Sequence, residues 1–388
     1  MADGGERLSV RMIESLASVP AAQWDACAGP DNPFLSHAFL DALEVSGSAT
    51  ARTGWLPQHL LLENAAGRVL GAVPLYLKSH SYGEYVFDHG WASAYERAGG
   101  RYYPKLQACV PFTPVTGPRL LLHPDAGPEA ADLLIAALVG VAKRRKVSSL
   151  HVTFPTESEA ARLGEAGFLQ RIGRQFHWEN EGYRTFDDFL DALNSRKRKQ
   201  IRRERRDALA GGLEIETLTG SALETRHWDA FFRFYMSTSD RKWGSAYLTR
   251  AFFDLLGSRM ADRVALIMAR QGNRYVAGAL NLVGTDTIYG RNWGCHGDFP
   301  FLHFEVCYYR AIDFAIARGL KRVEAGAQGQ HKIQRGYLPS TTHSAHWIRD
   351  PGLARAIEEF LVRERHAVEH EMEALEDALS PFKCETAE

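Results

Sequence analysis

The sequence predicts an α/β (α+β) chain made of two copies of one helix-and-strand unit, and three internal matches predict it. "AFLDAL" (38–43) returns as "AFFDLL" (251–256), each with the apolar spacing of an amphipathic helix. At nearly the same interval beyond them, "HLLLENAAGRVLGAVPLYL" (59–77) aligns without gaps on "LIMARQGNRYVAGALNLVG" (266–284), placing Gly71 and Ala72 on Gly278 and Ala279. Both stretches read as strand, polar turn and strand, an antiparallel hairpin. Each copy then closes on a helix feeding a strand, at 129–154 and 303–326. The order helix, helix, hairpin, helix, strand therefore occurs twice, as expected of a duplicated unit.

The 388 residues suffice for two cores. The expected domains are 1–182, with an aromatic-, Gly- and Pro-rich insertion at 78–118, and 183–350, entered by a basic helix; a long C-terminal helix and tail fill 351–388. In that tail Leu353, Ile357, Leu361, Val368, Met372, Leu375 and Leu379 recur at helical spacing. Lys+Arg (46) and Asp+Glu (47) nearly cancel, so attraction to anions has to come from a local patch. The strongest is "SRKRKQIRRERR" (195–206), followed by the helix stop Gly211-Gly212. It reads either as a polyanion contact or as a solvated helix face. Five cysteines without C-x-x-C spacing exclude a disulfide framework and a zinc knuckle, and no His or Cys cluster has metal-ligand spacing. The start "MADGGERLSV" carries no signal pattern, and the most apolar run, 133–142, is half a bilayer span, so a cytoplasmic protein is expected, with peripheral work at the inner membrane surface open.

The layout resembles the GNAT acyltransferase fold, and the tandem arrangement resembles the FemAB-like family. The blocks "FDHGWA" (87–92), "TPVTGPRLL" (113–121), "FHWEN" (176–180), "GRNWGC" (290–295), "LHFE" (302–305) and "AGAQGQHKIQRGY" (325–337) are similar to those of a FemAB-related group of N-acyltransferases labelled peptidoglycan biosynthesis or recognition proteins. The resemblance implies tandem GNAT-like domains with mixed sheets flanked by helices. It further implies a splayed strand pair that holds the acyl donor, an acyl-CoA in the expected case. The chain departs from the GNAT pattern before the third helix, where the usual Gln/Arg-x-x-Gly-x-Gly/Ala element is missing from both copies, so the donor stays open between coenzyme A and aminoacyl-tRNA.

Within that frame the loop after 321–324 is the expected donor site. Small residues let a ligand approach its backbone at Gly326, Ala327 and Gly329, and Gln328, His331 and Lys332 supply donors. Acyl transfer to an amine needs a base, so His303 and Glu305 are the catalytic candidates, in the first turn of a helix that Asp298 and Pro300 are placed to cap. Arg241, Trp243, Arg291, Asn292, Trp293 and Tyr337 are expected around the acceptor. From the first copy His89, Trp91 and His177 join them if the domains share a cleft; otherwise these histidines are buried and hydrogen-bonded. The resulting expectation is an N-acyltransferase that passes an acyl group from acyl-CoA to the amine of an amphiphilic acceptor of the long-chain (sphingoid) type, with anionic membrane or tRNA contacts through 195–206, no DNA and no metal. The alternatives are a FemAB-type aminoacyl-tRNA-dependent transferase acting on a peptidoglycan precursor, and a non-catalytic cell-wall or lipid recognition protein.

Overall fold

A computed structural model of the chain describes residues 7–242, 246–326 and 329–383, with the backbone alone at 239–242. It divides into two compact units, 1–173 with 342–368 and 174–341 with 369–388. The strands Leu169–Glu179 and Leu338–Ile348 and the helix Pro351–Leu379 each contribute residues to both. Residues 344–348, within the stretch expected to form the second domain, pair antiparallel with Ser149–Thr153 of the first unit, from Ser344 opposite Thr153 to Ile348 opposite Ser149.

Both units contain the hairpin, with pairing registers one residue apart under the ungapped match. In the first unit, strand His59–Glu63 pairs with Val69–Val73 so that Leu62 faces Gly71 and Leu61 faces Ala72. In the second, Val264–Gln271 pairs with Arg274–Val283 so that Met268 faces Gly278 and Ile267 faces Ala279. Each hairpin follows two helices, Ala21–Ala28 and His37–Val45 in one copy and Thr225–Lys242 and Arg250–Arg259 in the other. The apolar residues of helix Ala130–Arg144, among them Leu134 and Leu138, pack with Leu60, Leu62, Val73, Leu106 and Leu150 as the first core. Tyr308, Ile312 and Ala315 pack with Phe176, Trp178, Ile288 and Val323 in the second.

The stretch 78–118 is more than an insertion. It contains helix His89–Arg97 and strand Lys105–Ala108, which runs parallel to Ser149–Thr153 with Leu106 facing Leu150. The matching parallel pair of the second unit is Thr287–Cys295 with Arg322–Glu324. The basic segment is two helices, Phe186–Ala192 and Ser195–Ala208, and Asn194 starts the second by accepting from the Lys197 N–H at 3.0 Å. Glycine matters at Gly294, where a Cβ would lie 2.3 Å from the Phe234 carbonyl oxygen. Gly294→Ala is expected to destabilise the protein by about 1–3 kcal/mol, read as a lower urea midpoint at unchanged slope.

Candidate active site

The second unit has a place where two parallel strands part. Pairing of Thr287–Cys295 with Arg322–Glu324 stops at Tyr289 opposite Glu324. Beyond that point the chain after Glu324 stays with the other neighbour: Ala325 N–H donates to the Phe176 carbonyl at 3.2 Å, and Phe176 N–H to the Gly326 carbonyl at 3.4 Å. The departing strand is bulged there. Leu280 faces Asn292 and Asn281 faces Gly290, which leaves Arg291 as the extra residue.

A buried row of polar side chains crosses the parting. Glu324 is 3 % exposed and faces His177 across the antiparallel pair, and the Arg291 guanidinium lies 3.6 Å from Glu324 Oε2. Burial pushes the Glu324 carboxyl up to about 7, against the pull of Arg291 and Arg322. His177 Nε2 donates to Gln175 Oε1 at 3.2 Å, while its Nδ1 and Glu324 Oε2 have no hydrogen-bond partner. Burial, reinforced by Arg322 and Arg291, lowers the imidazole to about 3, so His177 is neutral at physiological pH. A carboxyl that ionises near neutrality is suited to accept a proton.

Lys332 is turned inward. Its Nζ donates to the carbonyls of Ala325 at 2.6 Å and Gly326 at 3.1 Å, closing the loop on itself, and burial lowers its pKa to about 7. It thus donates within the loop and braces it. Gly326 (φ +78°) and Gly329 (φ +103°) sit in backbone that L side chains rarely adopt, and Gly329 opens the turn Gln330–Arg335. Ala327 and Gln328 lie outside the described residues, as does Trp243; Arg241 lies where only backbone is described.

His303 belongs to a neighbouring aromatic group. Its ring centroid is 5.3 Å from Trp293, 5.2 Å from Tyr308 and 6.1 Å from His331, and the Tyr308 hydroxyl is 3.1 Å from His331 Nε2. His331 is exposed and Trp293 and Asn292 are half-buried. The helix starts differently from expectation. Its N-cap is Phe301, in left-handed backbone at φ +61° with no side-chain cap, rather than Asp298. It then passes through a π-helical turn, Glu305–Tyr309, a feature frequent at functional sites.

Two further expectations are corrected. Glu305 is completely buried and both its carboxylate oxygens are engaged, by Arg205 at 3.1 Å each and by Arg310 at 2.8 Å, so it is a structural ion-pair partner and not an orienter of the amine. Tyr337 is likewise fully buried, with its hydroxyl donating to the Tyr308 carbonyl at 3.0 Å; it is core and not a wall of the acceptor site. His89 and Trp91 lie in the first unit. His89 is exposed beside Tyr82 and Phe87, whereas Trp91 is buried and meets His346 edge-on at 4.9 Å.

The basic helix spends much of its charge internally. Arg198, Arg202, Arg203, Arg205 and Arg206 pair with Asp191, Asp187, Asp207, Glu305 with Asp313, and Asp207 again. Glu204 of the same helix holds Arg335 at 2.8 Å. Among the described residues this leaves Arg196, Lys197 and Lys199 without a carboxylate partner. A separate cavity of about 730 Å³ in the second unit is lined by Arg226, Arg233, Phe234, Arg274, Tyr275 and His296 with four others, none of them predicted from sequence.

The first unit keeps polar groups at its own parallel strand pair, but in a closed cluster. Lys105 Nζ donates to Ser81 Oγ at 2.7 Å, Glu84 at 2.6 Å and Asp88 at 2.5 Å, all buried. Tyr102 donates to Asp88 at 2.7 Å, and His151 and His346 meet through their Nδ1 atoms at 2.7 Å. Burial opposes charge on Lys105, yet Glu84 and Asp88 hold it protonated, while burial and Lys105 keep His151 neutral, at about 3.

Comparison with known proteins gives the family and the fold. A FemAB-like family model, described as peptidoglycan biosynthesis/recognition, matches residues 15–384. Among solved structures, FemX is similar at TM-score 0.55 and 12 % identity, over 88 % of this chain and 98 % of that one. The C-terminal DUF2156 domain of a protein assigned as a lysylphosphatidylglycerol synthetase from Agrobacterium fabrum follows at TM-score 0.53 and 10 % identity, over 88 % and 95 %. L-PGS from Bacillus licheniformis gives 0.50 and 8 %, over 82 % and 95 %. No curated protein matches. These likenesses fix the fold as the tandem GNAT-like α/β arrangement expected from the sequence. Among the described residues no helix is long and apolar enough to cross a membrane.

Proposed function

Because the chain belongs to the FemAB-like family, we propose that it is an N-acyltransferase whose working site is the parting of the parallel strands in the second unit. The observation that carries this reading is a carboxyl held near neutrality, Glu324, at the point where pairing between Thr287–Cys295 and Arg322–Glu324 ends. The acyl donor, an acyl-CoA, lies along the gap between Gly290–Trp293 and Ala325–Gly326. The acceptor's amine attacks the thioester carbon, Glu324 takes the amine proton, and the thiolate leaves. Buried Arg291 is the nearest cation to that carboxylate and keeps its ionised form accessible. His303 is the second candidate base, next to the same loop through His331.

An amphiphilic acceptor, of the long-chain amine type, is supported by the aromatic group Trp293, His303, Phe304 and Tyr308. The likeness to a domain named for lysylphosphatidylglycerol synthesis supports a second version, an aminoacyl group passed to a lipid or precursor acceptor. The ion pairing of the helix Ser195–Ala208 weighs against tRNA contact through that segment's paired arginines and moves such contact to Arg196, Lys197 and Lys199.

Titration calorimetry tests the donor. Palmitoyl-CoA is expected to bind saturably, and Gly329→Val, whose Cβ would fall 2.4 Å from the His331 ring, to weaken binding at least tenfold. Absence of saturable binding overturns the acyl-CoA donor and favours the aminoacyl-tRNA version or a recognition role.

A further inference from the structure

The first unit contains an open cavity of about 690 Å³ whose lining includes Tyr95, Arg101, Tyr103, Arg145, Lys146 and Arg349. Four cations converge there. Among the described residues none of the four has a carboxylate within ion-pair distance, and the one carboxylate in the lining, Asp350, is occupied in capping the Leu353 N–H at 2.8 Å. Some exposed arginines of this unit are matched, Arg11 with Glu63, Arg68 with Asp125 and Arg162 with Asp132, and others such as Arg52, Arg97 and Arg355 are single among the described residues; what marks these four is that they line one concavity. Of the four arginines lining the 730 Å³ cavity of the second unit, Arg226 and Arg270 have Glu224 and Glu214 as partners, and that lining also holds Glu216. A chain of net charge −1 thus gathers mutually repelling charges around one concavity, a cost that a bound anion would offset.

The three arginines among these cations are held in place by hydrogen bonds. Arg349 N–H donates to the Ser148 carbonyl at 2.9 Å and its guanidinium to the Lys146 carbonyl at 2.9 Å, which ties the end of strand Leu338–Ile348 to the turn that carries Arg145 and Lys146. Arg101 Nε donates to the Tyr103 carbonyl at 3.0 Å, and Arg145 donates to the Gln58 side-chain oxygen. Each guanidinium keeps further N–H groups for a ligand. Two half-buried rings complete the wall: Tyr103, whose hydroxyl is 2.8 Å from Ser81 Oγ, and Tyr95, seated over Gly100, where a Cβ would come within 2.5 Å of the ring. The cavity lies where Lys105–Ala108 and Ser149–Thr153 begin. The second unit's strands part at the opposite end of their parallel pair, so this is not a vestige of the duplicated site.

The geometry points to a binding site for a polyphosphorylated small molecule of nucleotide size. Guanidinium forks match phosphate oxygens, tyrosine rings accept a base face, and the volume is that of a small-molecule pocket and not of a flat surface.

Calorimetric titration of the full chain with ADP, pyrophosphate and orthophosphate tests it. ADP and pyrophosphate are expected to bind saturably, orthophosphate at least tenfold more weakly. Arg101→Gln/Arg349→Gln should lose at least tenfold for both at an unchanged melting temperature, and Tyr95→Leu should weaken ADP but not pyrophosphate. No saturable binding of ADP or pyrophosphate, or equal affinities in the parent and the double variant, overturns the proposal. Acyl-CoA carries a diphosphate as well: binding lost in Gly329→Val belongs to the second unit, and binding lost in Arg101→Gln/Arg349→Gln belongs here.

Discussion

Glu324→Gln is expected to lower the rate of acyl transfer by about two to four orders of magnitude, the usual worth of a positioned general base. The substitution keeps the shape of the side chain at its place opposite His177 and beside Arg291, so the fold should survive. The sharper readout is the pH profile. Burial raises the Glu324 carboxyl to about 7, so the parent's rate should climb as pH rises through that value, as the carboxylate forms. In Glu324→Gln that climb should vanish, and in His303→Ala it should persist. A profile lost only in His303→Ala would transfer the base to the histidine.

Lys105→Met is expected to destabilise the protein by about 3–5 kcal/mol, because it removes the one ammonium bonded to both Glu84 and Asp88 in the interior and leaves Glu84 only Lys78, 3.7 Å away. The pH dependence fixes the cause. With Lys105 present, Asp88 is held below the ordinary carboxylate range by Lys105 and His151 even though burial opposes this. Without it, both buried carboxyls should have raised folded-state pKa values. Stability is then present below the unfolded-state value of about 4 and lost as pH rises through the folded one. The variant should therefore unfold at higher urea at pH 5 than at pH 8, and adding Glu84→Gln and Asp88→Asn should recover much of the loss. A pH-independent deficit would instead indicate lost packing.

The repeated hairpins were legible because each is two apolar runs around a polar turn; the glycine match found both hairpins but not their pairing, which differs by one residue, Leu62 facing Gly71 and Met268 facing Gly278. The strand Lys105–Ala108 was hidden, since a lysine and a glutamine occupy two of its four positions and both are buried by partners distant in sequence. The same blindness acted at the site. Glu324 read as an ordinary strand end, and only the fold brings Arg291 and His177 beside it; the one available signal was a carboxylate immediately before a run of small residues. Glu305 was misjudged for the converse reason. An acid in a helix's first turn looks identical whether it faces substrate or an arginine, and Arg205 stood within a segment that looked solvated. Lys332 was expected to supply a donor, and its ammonium donates to the carbonyls of its own loop, a partner choice that spacing does not reveal.

The π-helical turn bears on how this site would be traced through related chains. His303 and Tyr308 stand five positions apart, and a uniform 3.6-residue helix carries such a pair to different sides. Here their rings meet at 5.2 Å. The encounter is encoded by a count, one residue too many in a turn, and not by the identity of either ring. Relatives could conserve both aromatic letters and still lack the pairing if that count were restored to normal, so an alignment gap of one residue at this helix would be more informative than any substitution in it.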